Sequence, residues 1–251
     1  MPAFTWIDAV TQGIAGFVYL AVGLAAWRRA PRDARTQVFL GLALANLVTF
    51  EVPAAAWLAG IADITMLPRG VFLALFVAMA TGAILLFHFC QVFPWRRPWI
   101  ERWGKTLAAA YAIAPLATAA LVVSAPASVS EISYAYAAAI LGVGVPLVLV
   151  LTVALPVGAV VSLVKSYRDA RGPDRPIRAP LAWLLVSQIA GGTIALIFAP
   201  VLATVVPGDA PRLALTLVSW VFGLMTPFAF ALGMARLNES AAAGAPASGR
   251  A

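Results

Sequence analysis

Phe87-His88-Phe89-Cys90-Gln91-Val92-Phe93-Pro94-Trp95-Arg96-Arg97-Pro98-Trp99 ends an apolar run that starts near Gly70 and opens a basic, aromatic stretch that continues to Lys105. Hydrocarbon gives way within a few residues to proline, tryptophan and arginine, the pattern of a helix leaving a bilayer at the headgroup level. The only histidine, His88, and the only cysteine, Cys90, lie in this stretch. The rest of the chain repeats the same alternation of long apolar runs and short polar breaks.

The composition agrees with that reading. At 63% hydrophobic and 11% charged residues, with a mean hydropathy of +0.94, there is too little polar side chain to coat a water-soluble globule. Backbone groups left unpaired in lipid are costly, so the choice lies between helices and a closed barrel. Runs of about 20 apolar residues without period-two alternation select helices. The expected fold is all-α, a polytopic bundle of seven transmembrane helices. The runs are roughly 9–27, 37–60, 70–93, 105–124, 137–164, 180–204 and 213–235. Met1 to Val10 carries no Lys or Arg, so the first run lacks a basic leader region and reads as a retained span. Residues 1–237 form the expected membrane domain. The small-residue segment 238–251 has too little apolar mass to pack and is expected to be a disordered cytoplasmic tail.

Charge sets the expected orientation. Breaks after the first, third, fifth and seventh runs hold fifteen of the 17 Lys and Arg residues, leaving Arg69 and Arg212 for the other side. The positive-inside rule then places the N-terminus outside and the C-terminus in the cytoplasm, and an odd number of spans is needed to keep that alternation. Trp6 and Trp57 fall near one boundary, and Trp27, Trp95, Trp99, Trp103 and Trp183 near the other. The net charge of +7 is thus a topology signal, and no nucleic-acid partner is expected. Short, mildly acidic outer breaks (Asp63, Glu131, Asp209) leave no room for an extracellular binding domain, so any ligand enters among the helices. The alternating aromatic and basic residues of Trp95–Lys105 suit anionic headgroups of the bilayer, although topogenesis alone accounts for them.

Glu51, in Asn46-Leu47-Val48-Thr49-Phe50-Glu51-Val52-Pro53, is the one acidic residue well inside an expected span. An ionised carboxylate there costs several kcal/mol unless paired, protonated or hydrated, which makes it a candidate ligand or proton site. Pro53 has no N–H for the Thr49 carbonyl and loosens the helix beside the acid. Asn46 and Thr49 join it as candidate polar neighbours, and Trp220, placed mid-span, as a candidate ligand contact or a packing residue. Two readings of Glu51 stay open: a functional carboxylate, or one that is hydrated from the near surface or paired with Arg69 or a hydroxyl. His88 and Gln91, three residues apart, make a small polar patch, read as a headgroup or titrating site or as a hydrogen-bonded helix contact. Pro53, Pro146, Pro156, Pro200 and Pro227 are expected helix kinks, each freeing a carbonyl four residues upstream.

Counting excludes several chemistries. One histidine and one cysteine cannot build a bis-histidine haem site, a three-histidine zinc site or a thiolate metal cluster, so no metal or cofactor is expected. There is no Gly-x-Ser-x-Gly, no phosphate-binding loop, no paired intramembrane aspartates and no mid-span lysine for a retinal Schiff base. No enzymatic activity is expected.

His88-Phe89 followed by Phe93-Pro94, with Arg96-Arg97-Pro98 beyond, resembles the His-Phe-x-x-x-Phe-Pro end of the third helix in the seven-helix N-terminal sensory region of some bacterial histidine kinases and related signalling proteins. Pro227-Phe228-Ala229-Phe230-Ala231 and Arg236-Leu237 are similar to that family's last-helix exit. Arg28-Arg29, and Gly191-Gly192 with Pro200, are softer matches. The resemblance spans nearly the whole chain in helix count. It implies a sensory input module in the bacterial inner membrane that responds to a small or lipophilic ligand, or to the membrane itself. Family members typically continue into a kinase, cyclase or phosphatase; none is present in these residues, so a separate cytoplasmic or membrane signalling partner is the expected output. A small-solute or proton-coupled transporter, motivated by Glu51 beside Pro53, and a structural or assembly subunit are the rival expectations.

Overall fold

The computed structural model describes residues 6–61, 64–126, 131–170, 176–194 and 209–244. Eight helices account for most of them, and among the described residues there is no strand. They are α1 (Trp6–Arg29), α2 (Ala34–Leu58), α3 (Arg69–Val92), a short α4 (Pro98–Arg102), α5 (Gly104–Val123), α6 (Tyr134–Asp169), α7 (Arg178–Thr193) and α8 (Asp209–Gly244). Six helical stretches among the described residues are long and apolar enough to cross a membrane: α1, α2, α3, α5, α6 and Trp220–Glu239 of α8. The expected run 180–204 is represented by the 16-residue α7, and its remainder, with Pro200, lies outside the described residues.

Local chemistry accounts for the helix ends. Asp33 caps α2, its carboxylate accepting the Arg35 N–H at 2.8 Å, and Ser133 caps α6 by accepting from Tyr136 N–H. α3 stops where Pro94 forbids the helical conformation to Phe93, which is extended at φ −104°, ψ 135°, and joined to Pro94 by a cis peptide. Proline at the first turn starts α4, so the basic break expected to be a simple loop contains one helical turn and a half. Beyond 237, where a disordered tail is expected, α8 runs on to Gly244. Alanine, the best helix former, dominates 241–243, and Arg236 pairs with Glu239 one turn away at 3.1 Å.

Proline shapes α6 in a specific way. A π turn at Ile140–Gly144 precedes Pro146, and a second at Val150–Ala154 precedes Pro156. At each, the last N–H before the proline segment reaches back five residues, from Val145 to the Ile140 carbonyl and from Leu155 to the Val150 carbonyl. The widened turn accommodates a ring that would otherwise collide with the carbonyl four residues back. Pro53 and Pro227 are carried inside α2 and α8, and so is Pro115 inside α5, which the expected kinks omit.

Neighbouring contacts run α1–α2–α3–α6–α7–α8 and back to α1, with α5 packed outside against α3 and the first π turn of α6. The core lies inside this ring toward one end, around fully buried Phe39, Phe89, Phe93 and Phe230. Phe39 stacks on Phe230 at 4.0 Å between centroids, and Phe89 meets Phe93 at 5.3 Å. Phe93 packs directly over Gly233, where any side chain would displace the ring. Outward faces carry Phe17, Ile113, Leu116, Leu141 and Val148, whereas Thr36, Ser162, Ser166, Ser187 and Thr226 are buried. Apolar outside with small polar groups inside is the arrangement of a bundle bathed in lipid.

Candidate functional site

The Phe87–Trp99 stretch folds into a joint that ties the basic ends of the helices together. His88 Nδ1 lies 2.8 Å from the Tyr111 hydroxyl of α5, and Trp99 Nε1 donates to Gln91 Oε1 at 3.0 Å. His88 and Gln91 are therefore partnered separately, to α5 and α4. The Phe93 ring fills the core and Pro94 is buried, its carbonyl accepting from Arg35 Nη1 at 3.1 Å. Arg97 donates to Asp169 at 3.0 Å, to Ser166 Oγ at 2.7 Å and to the Ser162 carbonyl at 3.3 Å, clamping this turn to the end of α6. The Ser162 hydroxyl closes the loop on the Cys90 carbonyl at 2.9 Å. Arg96 stays exposed, with Glu101 at 3.9 Å. Arg178, at the start of α7, lies over the Tyr167 ring at 4.5 Å. Apart from Arg96, the named residues of the motif have packing or hydrogen-bonding duties, and the breaks between helices that carry most of the basic residues converge on one end of the bundle.

The second feature lies between α1 and α2, within helices long and apolar enough to cross a membrane. Glu51 reaches across from α2 into a notch on α1 made by Gly13 and Gly16: a methyl group at Gly13 would sit 3.6 Å from Oε2, and one at Gly16 would collide with Oε1. Glu51 Oε1 is buried and has no hydrogen-bond partner among the described residues. Neither predicted partner serves it, because Arg69 donates to the Ala125 carbonyl at 2.8 Å and the Thr49 hydroxyl donates to the Ala45 carbonyl at 2.9 Å. Gly16 is thirteen residues before the basic end of α1, which puts the carboxylate about 20 Å from that end at 1.5 Å per residue.

One turn further along α1, Tyr19 packs on Phe39 and Phe50 of α2 and donates its hydroxyl to the Gly223 carbonyl of α8 at 3.0 Å. Gly223 is four residues before Pro227, so its carbonyl has no N–H to receive from within the helix. Tyr19 thus satisfies the acceptor that the proline frees. Beside it, Ser187 of α7 bonds the Phe222 carbonyl at 2.7 Å and the Thr226 hydroxyl at 2.8 Å, with Gln188 3.4 Å from the same hydroxyl. This polar belt joins α1, α7 and α8.

Since α1 and α8 both run toward the basic end, the Tyr19–Gly223 bond fixes their register. Trp220 and Gly16, each three residues earlier, stand at the same level. Trp220 Nε1 is, like Glu51 Oε1, buried without a hydrogen-bond partner among the described residues. Of the four candidate residues, Glu51 and Trp220 therefore share one level of the bundle. Asn46 and Thr49 do not join them. The Asn46 carboxamide lies toward Gly82 of α3, 3.9 Å from where a methyl group there would be, and Thr49 bonds its own helix. At 3.6 residues per turn, spacings of five and two turn these side chains away from Glu51. Sequence reasoning passes over Gly13, Gly16, Tyr19, Ser187, Gln188 and Thr226. The usable signals are a Ser-Gln pair inside an apolar run and a threonine immediately before the last proline.

No protein-family model matches the chain, and comparisons with curated proteins and with solved structures return no match.

Proposed function

We propose that this is a receptor-like integral membrane protein of seven spans, N-terminus outside and C-terminus in the cytoplasm of a bacterial cell. It takes its input at the Glu51–Trp220 level and passes it on through α8 to a separate partner. The observation that carries the reading is the pair of buried polar atoms, Glu51 Oε1 and Trp220 Nε1, that have no hydrogen-bond partner among the described residues, on helices whose register the Tyr19–Gly223 bond sets. An acceptor and a donor left open in the same layer are what a small polar or amphiphilic ligand, or a proton on the carboxylate, would complete. α8 supplies Trp220, takes the Tyr19 bond at Gly223 and continues to Gly244, so a change at this layer has a continuous helix to act on. The family-like helix exits at His88–Pro94 and Pro227–Leu237 support the same class.

The test uses the full chain in liposomes, with a fluorophore attached through Ser240→Cys, near the end of α8; native Cys90 is buried. Titrating external pH and a panel of small amphiphiles should move the fluorescence of the parent and leave Glu51→Gln unmoved. Traces that are the same for both would overturn the reading. The proton-coupled transport alternative draws on the same carboxylate two residues before Pro53. Glu51-dependent proton or solute flux in these liposomes would decide for it.

A further inference from the structure

α8 carries glycine and proline four residues apart. Pro227 gives the Gly223 carbonyl no N–H, and glycine is, after proline, the weakest helix former. A methyl group at Gly223 would meet nothing within 4 Å, so no neighbour's approach calls for glycine there, and the residue leaves this turn of the helix weak. Helices bend at proline and glycine, and here both fall in one turn. Burial along α8 changes at the same place. Among the described residues before it, Leu217, Val218 and 220–225, none is buried, whereas Thr226, Pro227, Ala229, Phe230, Gly233 and Met234 are. Phe230 is stacked on Phe39 at 4.0 Å and Gly233 lies under the Phe93 ring, which seats the half toward Gly244 in the core. The half toward Asp209 has no such seat: its Phe222 lies opposite Gly191 of α7, which offers it no side chain.

Two hydroxyls from different helices hold the turn. Tyr19 of α1 donates to the Gly223 carbonyl at 3.0 Å, and Ser187 of α7 donates to the Phe222 carbonyl at 2.7 Å, with the Thr226 hydroxyl 2.8 Å from Ser187 Oγ. We propose that α8 is hinged over Gly223–Pro227, so that its half toward Asp209, bearing Trp220, swings as a lateral gate between α1 and α7, latched by Tyr19 and Ser187. With both bonds made, α8 moves as one rod. With them broken, the half beyond Pro227 stays in the core while the other turns outward, and the flank between α1 and α7, the two neighbours of α8 in the ring, opens. Interhelical hydrogen bonds in a bilayer are individually weak, so the latches release without unseating the aromatic core. A bend of about 20° moves Leu217, about 9 Å along the helix from Gly223, by about 3 Å. This inference goes beyond the reading above and does not depend on what Glu51 takes up.

The test is double electron–electron resonance on the full chain in liposomes, with nitroxides on exposed positions. Leu217→Cys with Leu44→Cys of α2 reports the half toward Asp209, and Ala235→Cys with Leu44→Cys reports the anchored half; native Cys90 is buried. Removing both latches, as Tyr19→Phe/Ser187→Ala, should raise the ratio of displaced to latched helix in the Leu217 pair about tenfold, the combined effect of two such bonds, and leave the Ala235 pair unchanged. Gly223→Ala, whose added methyl meets nothing, and Pro227→Ala, which restores the N–H, should each return the Leu217 pair toward the parent distances. A Leu217 pair unmoved by removal of both latches would overturn the proposal. So would equal broadening of the two pairs, the signature of general loosening, or a displaced fraction that Pro227→Ala leaves in place.

Discussion

Tyr19→Phe removes one oxygen and leaves the packing in place, because the ring contacts with Phe39 at 6.1 Å and Phe50 at 6.2 Å do not need the hydroxyl. What it takes away is the donor to the Gly223 carbonyl, an acceptor that Pro227 has already deprived of its helical partner. Leaving a buried acceptor unsatisfied costs about 1–3 kcal/mol, while interhelical hydrogen bonds in membrane proteins average about 0.6 and reach about 1.7 kcal/mol. With Tyr19 only 6% exposed, water cannot readily take over, and we expect a loss of about 1.5 kcal/mol. In a Pro227→Ala background the N–H of residue 227 returns and can bond Gly223 within α8. There Tyr19→Phe should cost about 0.5 kcal/mol, giving a coupling near 1 kcal/mol between residues that are far apart in sequence. Reversible unfolding in mixed micelles, followed by tryptophan fluorescence for the parent, both single variants and the double variant, measures that coupling. Equal costs in the two backgrounds would refute the account of Tyr19 as the partner of a proline-freed carbonyl.

Two further predictions concern the basic end. Arg97→Gln should destabilise by about 1–3 kcal/mol, because Arg97 is 19% exposed and its loss removes the charged donor from the buried Ser166 hydroxyl. Asp169→Asn should cost less than about 0.5 kcal/mol in the same unfolding assay, since that carboxylate is 59% exposed and its pairing is largely screened. Hydrogen bonds from the Arg35 side chain hold the Asp33 carboxyl below the usual aspartate range. Its contribution is therefore fully present above the unfolded value of about 4 and is lost as pH falls through the lower folded value. Asp33→Asn keeps a capping oxygen but does not titrate, so the stability gap between parent and variant should close as thermal unfolding is repeated from neutral pH down to about 3. A gap independent of pH would contradict this.

Much of the fold is legible along the chain. The apolar runs from 9 to 164 return as helices within about five residues of their expected bounds, and the run 213–235 returns within the longer α8, Asp209–Gly244. A helix in lipid is specified by local hydropathy, and its ends by proline, Asp33 or Ser133 acting on their own neighbours. Extension of α8 through 238–244 runs against the disorder expected there: low complexity signals disorder, while the alanines of the same stretch favour helix. The two wide turns of α6 were half visible: Pro146 and Pro156 mark where the helix must yield, but not whether it bends or widens.

The site was legible only as isolated residues, Glu51 and Trp220. Glu51 stands out because a carboxylate in an apolar run is costly wherever it points, and that cost is a property of sequence. Its surroundings are not. That Gly13 and Gly16 form the notch, that Tyr19 answers Pro227 across two helices, and that Asn46 turns toward α3 while Trp220 stands level with Gly16 all depend on helix rotation and register. Those are set by the packing of distant faces around Phe39, Phe89, Phe93 and Phe230. The same holds for Phe87–Trp99. Its composition alone marks a membrane boundary, since charge and hydropathy act through the nearest solvent. Its conversion into a joint between α2, α3, α4, α5 and α6 required tertiary structure, because such hydrogen bonds exist only where separate helices meet.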